Sequence, residues 1–139
     1  MVQIYLAGAL FSQAERDFNK KLQKMMLEAG FSVFLPQEDA EDNKDQRVER
    51  NQTAIFNSCF RGLQKSDMIV TVLDGVDVDS GTAWELGYAY AERKPIVGIR
   101  TDFRIQTPDE KVNLMIQETL DDFVDNVEDL KRVLEKYKK

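Results

Sequence analysis

Met68-Ile69-Val70-Thr71-Val72-Leu73 is an apolar run rich in β-branched residues. After an acidic loop containing Asp74 and Asp77 it is followed by Asp79-Ser80-Gly81-Thr82-Ala83-Trp84-Glu85-Leu86-Gly87, which opens a helical pattern through Tyr88, Ala89 and Tyr90. The first piece reads as a buried strand and the second as a helix start, so the stretch is a strand-to-helix junction. In a parallel α/β sheet, the strands' carboxyl ends and the helices' amino ends meet on one edge, and ligands bind there. Two carboxylates, Asp79 and Glu85, stand at that junction. One reading of them is architectural: Thr82-Ala83-Trp84-Glu85 fits a capping box, with the glutamate reaching back to the threonine amide. The other is chemical. The surrounding loop is acidic, Gly81 permits close backbone approach, Trp84 adjoins the glutamate, and a carboxylate near a helix amino terminus is held as the anion, which suits a nucleophile.

Outward from the junction, strands and helices alternate. Val2 to Gly8 reads as a short buried strand ending in a glycine turn. Ser12 caps a helix running to about Ala29, with Phe18, Leu22, Met25 and Met26 on its apolar face and Gly30 as its stop. Phe31 to Leu35 is a second strand closed by Pro36, giving a βαβ unit whose strands are parallel with a right-handed crossover. Glu38 to Arg50 is charged and lacks an apolar period, which predicts a loop or a polar helix start. A loop of that length is usually a lid, a specificity element or mobile. Ile55, Phe56, Cys59, Phe60 and Leu63 predict a helix from Thr53 that stops before Ser66-Asp67.

The helix opened at the junction ends near Arg93, and Pro95 to Ile99 is the fourth strand, its proline at the first position where no ladder donor is lost. Val112, Met115 and Ile116 predict one short helix, Phe123-Val124 a brief fifth strand, and Val127 to Tyr137 a terminal helix with Val127, Leu130, Val133 and Leu134 on one face. The fold class is therefore α/β: a single domain over residues 1–139, built on a doubly wound, flavodoxin-like parallel sheet of five strands in the order 2-1-3-4-5. That order sets Ala7 to Phe11 opposite Asp74 to Glu85 across a cleft.

Composition bounds the chemistry. The 139 residues suffice for one core without staples, and 42% hydrophobic with 32% charged residues describes a soluble globular chain. A net charge of −6 argues against a nucleic-acid polymer as partner, since the basic residues Lys131, Arg132, Lys136, Lys138 and Lys139 read as a solvated helix end. One cysteine and no histidine exclude a disulfide framework and a histidine-based relay and argue against a zinc site, so acid–base work falls to carboxylates, tyrosines, lysines or Cys59. No metal and no cofactor are expected. No apolar run approaches the roughly 18 residues of a membrane span, and the chain enters a strand pattern at once without a signal peptide, so the expected location is cytoplasmic and no membrane is involved.

At the junction the chain resembles the nucleoside 2-deoxyribosyltransferase family, whose signature is an Asp-x-Gly-x-x-x-Glu-Leu-Gly segment. Asp79, Gly81, Glu85, Leu86 and Gly87 match it. Tyr5, Phe11 and Asn113-Leu114-Met115 match in the family's order, so the resemblance spans most of the chain. It implies that Glu85 attacks the anomeric carbon of a 2'-deoxynucleoside, displaces the base and holds the deoxyribosyl group until a second nucleobase or water accepts it. This is the two-step logic of a retaining glycosidase. The resemblance further makes Tyr5 the hydroxyl that orients the nucleophile and Asp79 the ligand of a ribose hydroxyl. Asn113 and Met115 become residues that reach a neighbouring subunit's site, so the protein is a homo-oligomer with shared active sites.

Each role has a plainer counterpart. Tyr5 reads equally as core, Asp79 as a helix cap, Asn113 as the cap of the short helix and Met115 as its core face. Phe11 and Trp84 are candidates to stack on the base and wall the pocket, or are core. Gln37 and Glu38 are placed to read the base edge.

Two departures from the family pattern stand out. Where members carry an aspartate that helps protonate the leaving base, this chain has Cys59, whose thiol is a poor acid for a nucleobase; Glu38, Asp39 or Asp42 is then the alternative proton source. Ala9-Leu10-Phe11 also lacks the proline common in the family's first loop. Two other functions therefore stand beside base transfer or hydrolysis of the same N-glycosidic bond. One is a 2'-deoxynucleoside 5'-monophosphate N-hydrolase, against which Asp79 argues by repelling a phosphate. The other is a catalytically weakened nucleotide-binding module.

Overall fold

The computed structural model describes residues 1–40 and 51–138. Five strands, β1 (Gln3–Ala7), β2 (Ser32–Phe34), β3 (Met68–Val72), β4 (Ile96–Ile99) and β5 (Asp122–Val124), form one sheet in the order β2-β1-β3-β4-β5. Every neighbouring pair is parallel. The doubly wound α/β sheet and the strand order expected from the sequence are thus present.

The period of two along the strands sorts the core. Ile4, Leu6, Met68, Val70, Val97 and Ile99 project to one face, where they meet Leu22 and Met26 of α1 (Gln13–Glu28) and Leu130 and Leu134 of α6 (Val127–Leu134). Tyr5, Ala7, Ile69, Leu73 and Ile96 project to the other. There they meet Leu63 of α3 (Gln52–Lys65), Leu86 and Ala89 of α4 (Ser80–Ala91), and Val112. Burial of such side chains is worth about 1.5–3 kcal/mol each, which fixes the register because a slip by one residue would turn each of them to the wrong face.

Local signals set the ends. Ser12 and Glu15 form a capping box at α1, and Gly30, at φ +99, takes the left-handed conformation that ends it. Pro36 closes β2 by opening the one-turn helix α2 (Pro36–Asp39), so the stretch expected as a loop begins with a helical turn, while residues 41–50 of that stretch lie outside the described residues. Asn113 caps α5 (Leu114–Gln117), accepting from Met115 N at 2.8 Å. The terminal helix is α6 to Leu134, tightening to a 3-10 turn over Glu135–Tyr137.

Two expectations are corrected. Met115 does not fill the core face of α5; it is 73% exposed, because this four-residue helix turns Ile116 inward beside Val112 and Leu120. Thr82 does not cap α4, as the next subsection describes. Among the described residues, no helix is long and apolar enough to cross a membrane.

Candidate active site

α4 begins three residues earlier than the capping-box reading implies. Asp79 is its N-cap, and Asp79 Oδ2 accepts from both Thr82 N and Thr82 Oγ1 at 3.0 Å. Thr82 is therefore the third helical residue, buried under the aspartate, and Glu85 is released from any capping duty. One turn on, Glu85 instead turns toward the sheet, where Tyr5 Oη donates a hydrogen bond to Glu85 Oε2. Tyr5 is fully buried and its ring stacks on Phe34 with centroids 5.3 Å apart. Phe34 is itself held against Gly62 of α3, whose missing side chain makes room for it: a Cβ there would meet the Phe34 ring at 2.7 Å.

These two groups shift each other's protonation. Burial pushes the Glu85 carboxyl up to about 7; the Tyr5 hydroxyl opposes the rise and the negative charge of Asp79 adds to it. Tyr5 is raised well above the ordinary phenol value by its own burial first, then by the charge of Glu85, with Cys59 adding. The phenol consequently stays protonated and remains a donor to the carboxylate. Cys59 sits against this pair, and burial pushes its thiol up, so it is a neutral neighbour rather than a thiolate.

Around Glu85 lies a cleft of about 390 Å³ at the carboxyl edge of the sheet, lined by Gly8, Leu10, Phe11, Pro36, Ile55, Phe56, Cys59, Phe60, Leu63, Asp79, Gly81, Trp84 and Glu85. The loops after β1 and β3 do face each other across it. The first is tied down by α1: Arg16 Nη1 donates to Leu10 O at 3.2 Å, Asn19 Nδ2 to Ala9 O at 3.1 Å, and Phe11 N to Glu15 Oε1 at 3.0 Å. Those bonds hold the loop that lacks the proline. On the opposite wall, Phe56 and Phe60 of α3 pack on Trp84 of α4, and Phe60 also on Tyr88, with centroid separations from 5.0 to 6.0 Å. Such pairs contribute about 0.5–1.5 kcal/mol each beyond burial, enough to fix the two helices' mutual position beside the cleft.

Of the residues singled out in the sequence, the fold gathers Tyr5, Phe11, Cys59, Asp79, Gly81, Trp84 and Glu85 at this one place. Asn113 and Met115 are exposed on α5 and do not line the same chain's cleft. Gln37 does not face the cleft: it is buried, its Oε1 accepting from Asn19 Nδ2 at 3.0 Å and its Nε2 donating to Arg16 O at 3.1 Å. Glu38 is turned outward into an ion pair with Lys20, whose hydrogen bond holds its carboxyl below the usual range. Asp39 Oδ2 accepts from Leu35 N at 2.7 Å. Neither carboxyl lines the cleft, and Asp42 lies outside the described residues. The sequence reading placed Leu10 in the loop facing the cleft but missed Pro36, Ile55, Phe56, Phe60 and Leu63 as lining. The signal was present in the wide apolar stripe of α3, which is broader than one buried face requires.

Fold and site together define an α/β protein with a carboxylate–phenol pair in an apolar cleft at the sheet's carboxyl edge. Comparison with known proteins gives the family: the model for nucleoside 2-deoxyribosyltransferase matches residues 4–115, and the chain belongs to that family. Among solved structures, a conserved protein from Enterococcus faecalis is 30% identical, with 99% of each chain covered and a TM-score of 0.85. A 2-deoxyribosyltransferase from Bacillus psychrosaccharolyticus is 25% identical over 94% of this chain and 90% of that one, at a TM-score of 0.80. One from Leishmania mexicana, 21% identical with both chains fully covered and a TM-score of 0.78, shares the fold. No curated protein matches the chain by sequence.

Proposed function

We propose that this protein transfers a 2-deoxyribosyl group between nucleobases, or to water, through a covalent ester on Glu85. The observation that carries the reading is the Tyr5–Glu85 hydrogen bond inside the cleft, beside Asp79. Glu85 Oε attacks the anomeric carbon of a deoxynucleoside as the N-glycosidic bond breaks; the base departs with its bonding electrons and takes up a proton from solvent, which the incoming base or water returns when it attacks. An incoming base then attacks the same carbon and frees the carboxylate. The phenol holds one carboxylate oxygen in place, and the apolar walls favour a stacked base over water as the acceptor. Asp79 Oδ2 is committed to Thr82, which leaves Oδ1 to accept from a ribose hydroxyl. Gly81 adjoins this corner, where a Cβ would come into ordinary contact, at 3.4 Å, with Asp79 Oδ2. Phe11 and Trp84, 69% and 52% exposed at the rim, supply faces for a base. In this reading Asn113 and Met115 complete the site of a neighbouring subunit in a homo-oligomer, and their exposure supports that role.

The competing monophosphate N-hydrolase is less well supported. The described lining of the cleft contains two carboxylates and no cationic side chain, a poor setting for a phosphate dianion. Incubation with deoxyinosine and free adenine, followed by chromatography, separates the alternatives. Appearance of deoxyadenosine supports transfer, base release only from the 5'-monophosphate supports the hydrolase, and binding without turnover supports a weakened binding module.

A further inference from the structure

Arg100, immediately after β4, is 5% exposed, and a guanidinium so buried must have its donors matched by acceptors. They are matched mostly by backbone carbonyls from two loops. Nη1 donates to Leu73 O and, at 3.1 Å, to Gly75 O; Nε and Nη2 donate to Arg104 O at 3.3 and 2.8 Å. Ties run the other way as well. Asp74 accepts from Thr101 N and Thr101 Oγ1, both at 2.6 Å, and from Asp102 N at 3.1 Å, while Gly75 N donates to Asp102 Oδ2 at 3.1 Å. Arg104, bonded to Asp102 at 2.9 and 2.5 Å, holds that carboxyl well below its usual range, so it remains an acceptor at any ordinary pH.

Of the two loops thus joined, the β3–α4 loop delivers Asp79 and α4 to the cleft, and the β4–α5 loop, which does not line it, serves as the anchor. Left alone, the first is poorly suited to hold still. Val76 in it is 74% exposed, and Gly75 adopts φ +113.

We propose that Arg100 and Asp74 are positioning residues that lock the β3–α4 loop, so that Asp79 stands at a fixed distance from Glu85 before substrate arrives. The inference rests on the function proposed above for that pair. An unlocked loop has to be ordered at each binding event and strays from the productive geometry, and displacements on the order of 1 Å lower rates by about 10²-fold.

The test compares Arg100→Gln, Arg100→Lys and the milder Thr101→Val, which deletes only the hydroxyl bond to Asp74. It measures kcat and KM for base exchange alongside amide hydrogen exchange. The expected result is faster exchange over 74–83 with β1 and α1 unchanged, a kcat/KM about 10-fold lower or worse in Arg100→Gln, and partial recovery in Arg100→Lys. If Arg100→Gln does not fold, Thr101→Val carries the comparison with a smaller change in the same direction. Faster exchange spread over the whole sheet, or local loosening with kcat/KM within two-fold of wild type, overturns the positioning role. A wild-type chain that turns over no deoxynucleoside, yet loosens only over 74–83 in the variants, supports the clamp and overturns the functional reading alone.

Discussion

Glu85→Gln separates the chemistry of the site from its contribution to stability, and the two move in opposite directions. In the fold the carboxyl is pushed up to about 7 from an ordinary 4.5, chiefly by burial. At 1.36 kcal/mol per pKa unit, this rise corresponds to roughly 3–4 kcal/mol, borne by the folded state once the group is ionised. The sign follows from which state holds the proton more tightly. Below about 4.5 the carboxyl is neutral in both folded and unfolded chains and the cost is absent. Between 4.5 and 7 the unfolded chain ionises first, so stability is lost as pH rises, and above 7 the loss is complete. Glutamine carries no such dependence, and its amide oxygen still accepts from Tyr5. The Tm of Glu85→Gln should therefore gain on wild type by about 10 °C between pH 4.5 and pH 8, for a domain of this size. Base exchange should fall on the order of 10⁴-fold or more. Thermal denaturation at both pH values and chromatographic assay of exchange measure the two effects. Parallel Tm profiles in the two proteins refute the raised carboxyl pKa, and activity within a few-fold of wild type refutes the nucleophile.

Tyr5→Phe keeps the stack on Phe34 but removes the donor that lowers the Glu85 pKa, so the acid limb of the kcat/KM profile, expected near 7 in wild type, should move to higher pH while the rate falls about 10- to 100-fold. Cys59→Asp restores a carboxyl beside the Tyr5–Glu85 pair; it should raise turnover most for the least acidic leaving bases, by up to about 10²-fold, and move the acid limb upward because two carboxyls then share the site. A folded variant with unchanged rates across several bases would place the proton source elsewhere. Gly62→Ala forces a methyl into the Phe34 ring and should cost about 1–3 kcal/mol in denaturant unfolding, with a loss of activity transmitted through Tyr5. Mixing inactive Glu85→Gln with inactive Asn113→Ala subunits should regenerate activity if sites are shared; no recovery after demonstrated subunit exchange counts against the shared site.

Much of this protein was legible in one dimension because its signals are local and periodic. The apolar runs at Met68 to Leu73 and Pro95 to Ile99 contain strands β3 and β4 because those segments are buried on both faces, each strand one residue shorter than its run, and the capping pair Ser12 and Glu15 fixes the start of α1 by a three-residue spacing. The motif from Asp79 to Gly87 located the cleft because strand-to-helix junctions of a parallel sheet share one edge. The capping-box reading of Thr82 and Glu85 failed for a physical reason. Ser, Thr and Asp are all good caps, so sequence spacing admits two starts one turn apart, and Asp79 reaches the Thr82 amide at 3.0 Å.

The sequence by itself determined the element order, the parallel sheet and the acidic junction, because hydrophobic period and turn chemistry act over a few residues. The pairing of Glu85 with Tyr5, 80 positions away, was expected from the family resemblance alone and from no local pattern, and only the tertiary structure decided that Gln37 and Glu38 turn from the cleft. Tertiary structure alone also joined Arg100 to Asp74 and Leu73 in a single clamp. Those outcomes depend on long-range hydrogen bonds and ion pairs, most of them between buried groups, whose partners are fixed by the packing of the whole sheet and leave no period in the chain.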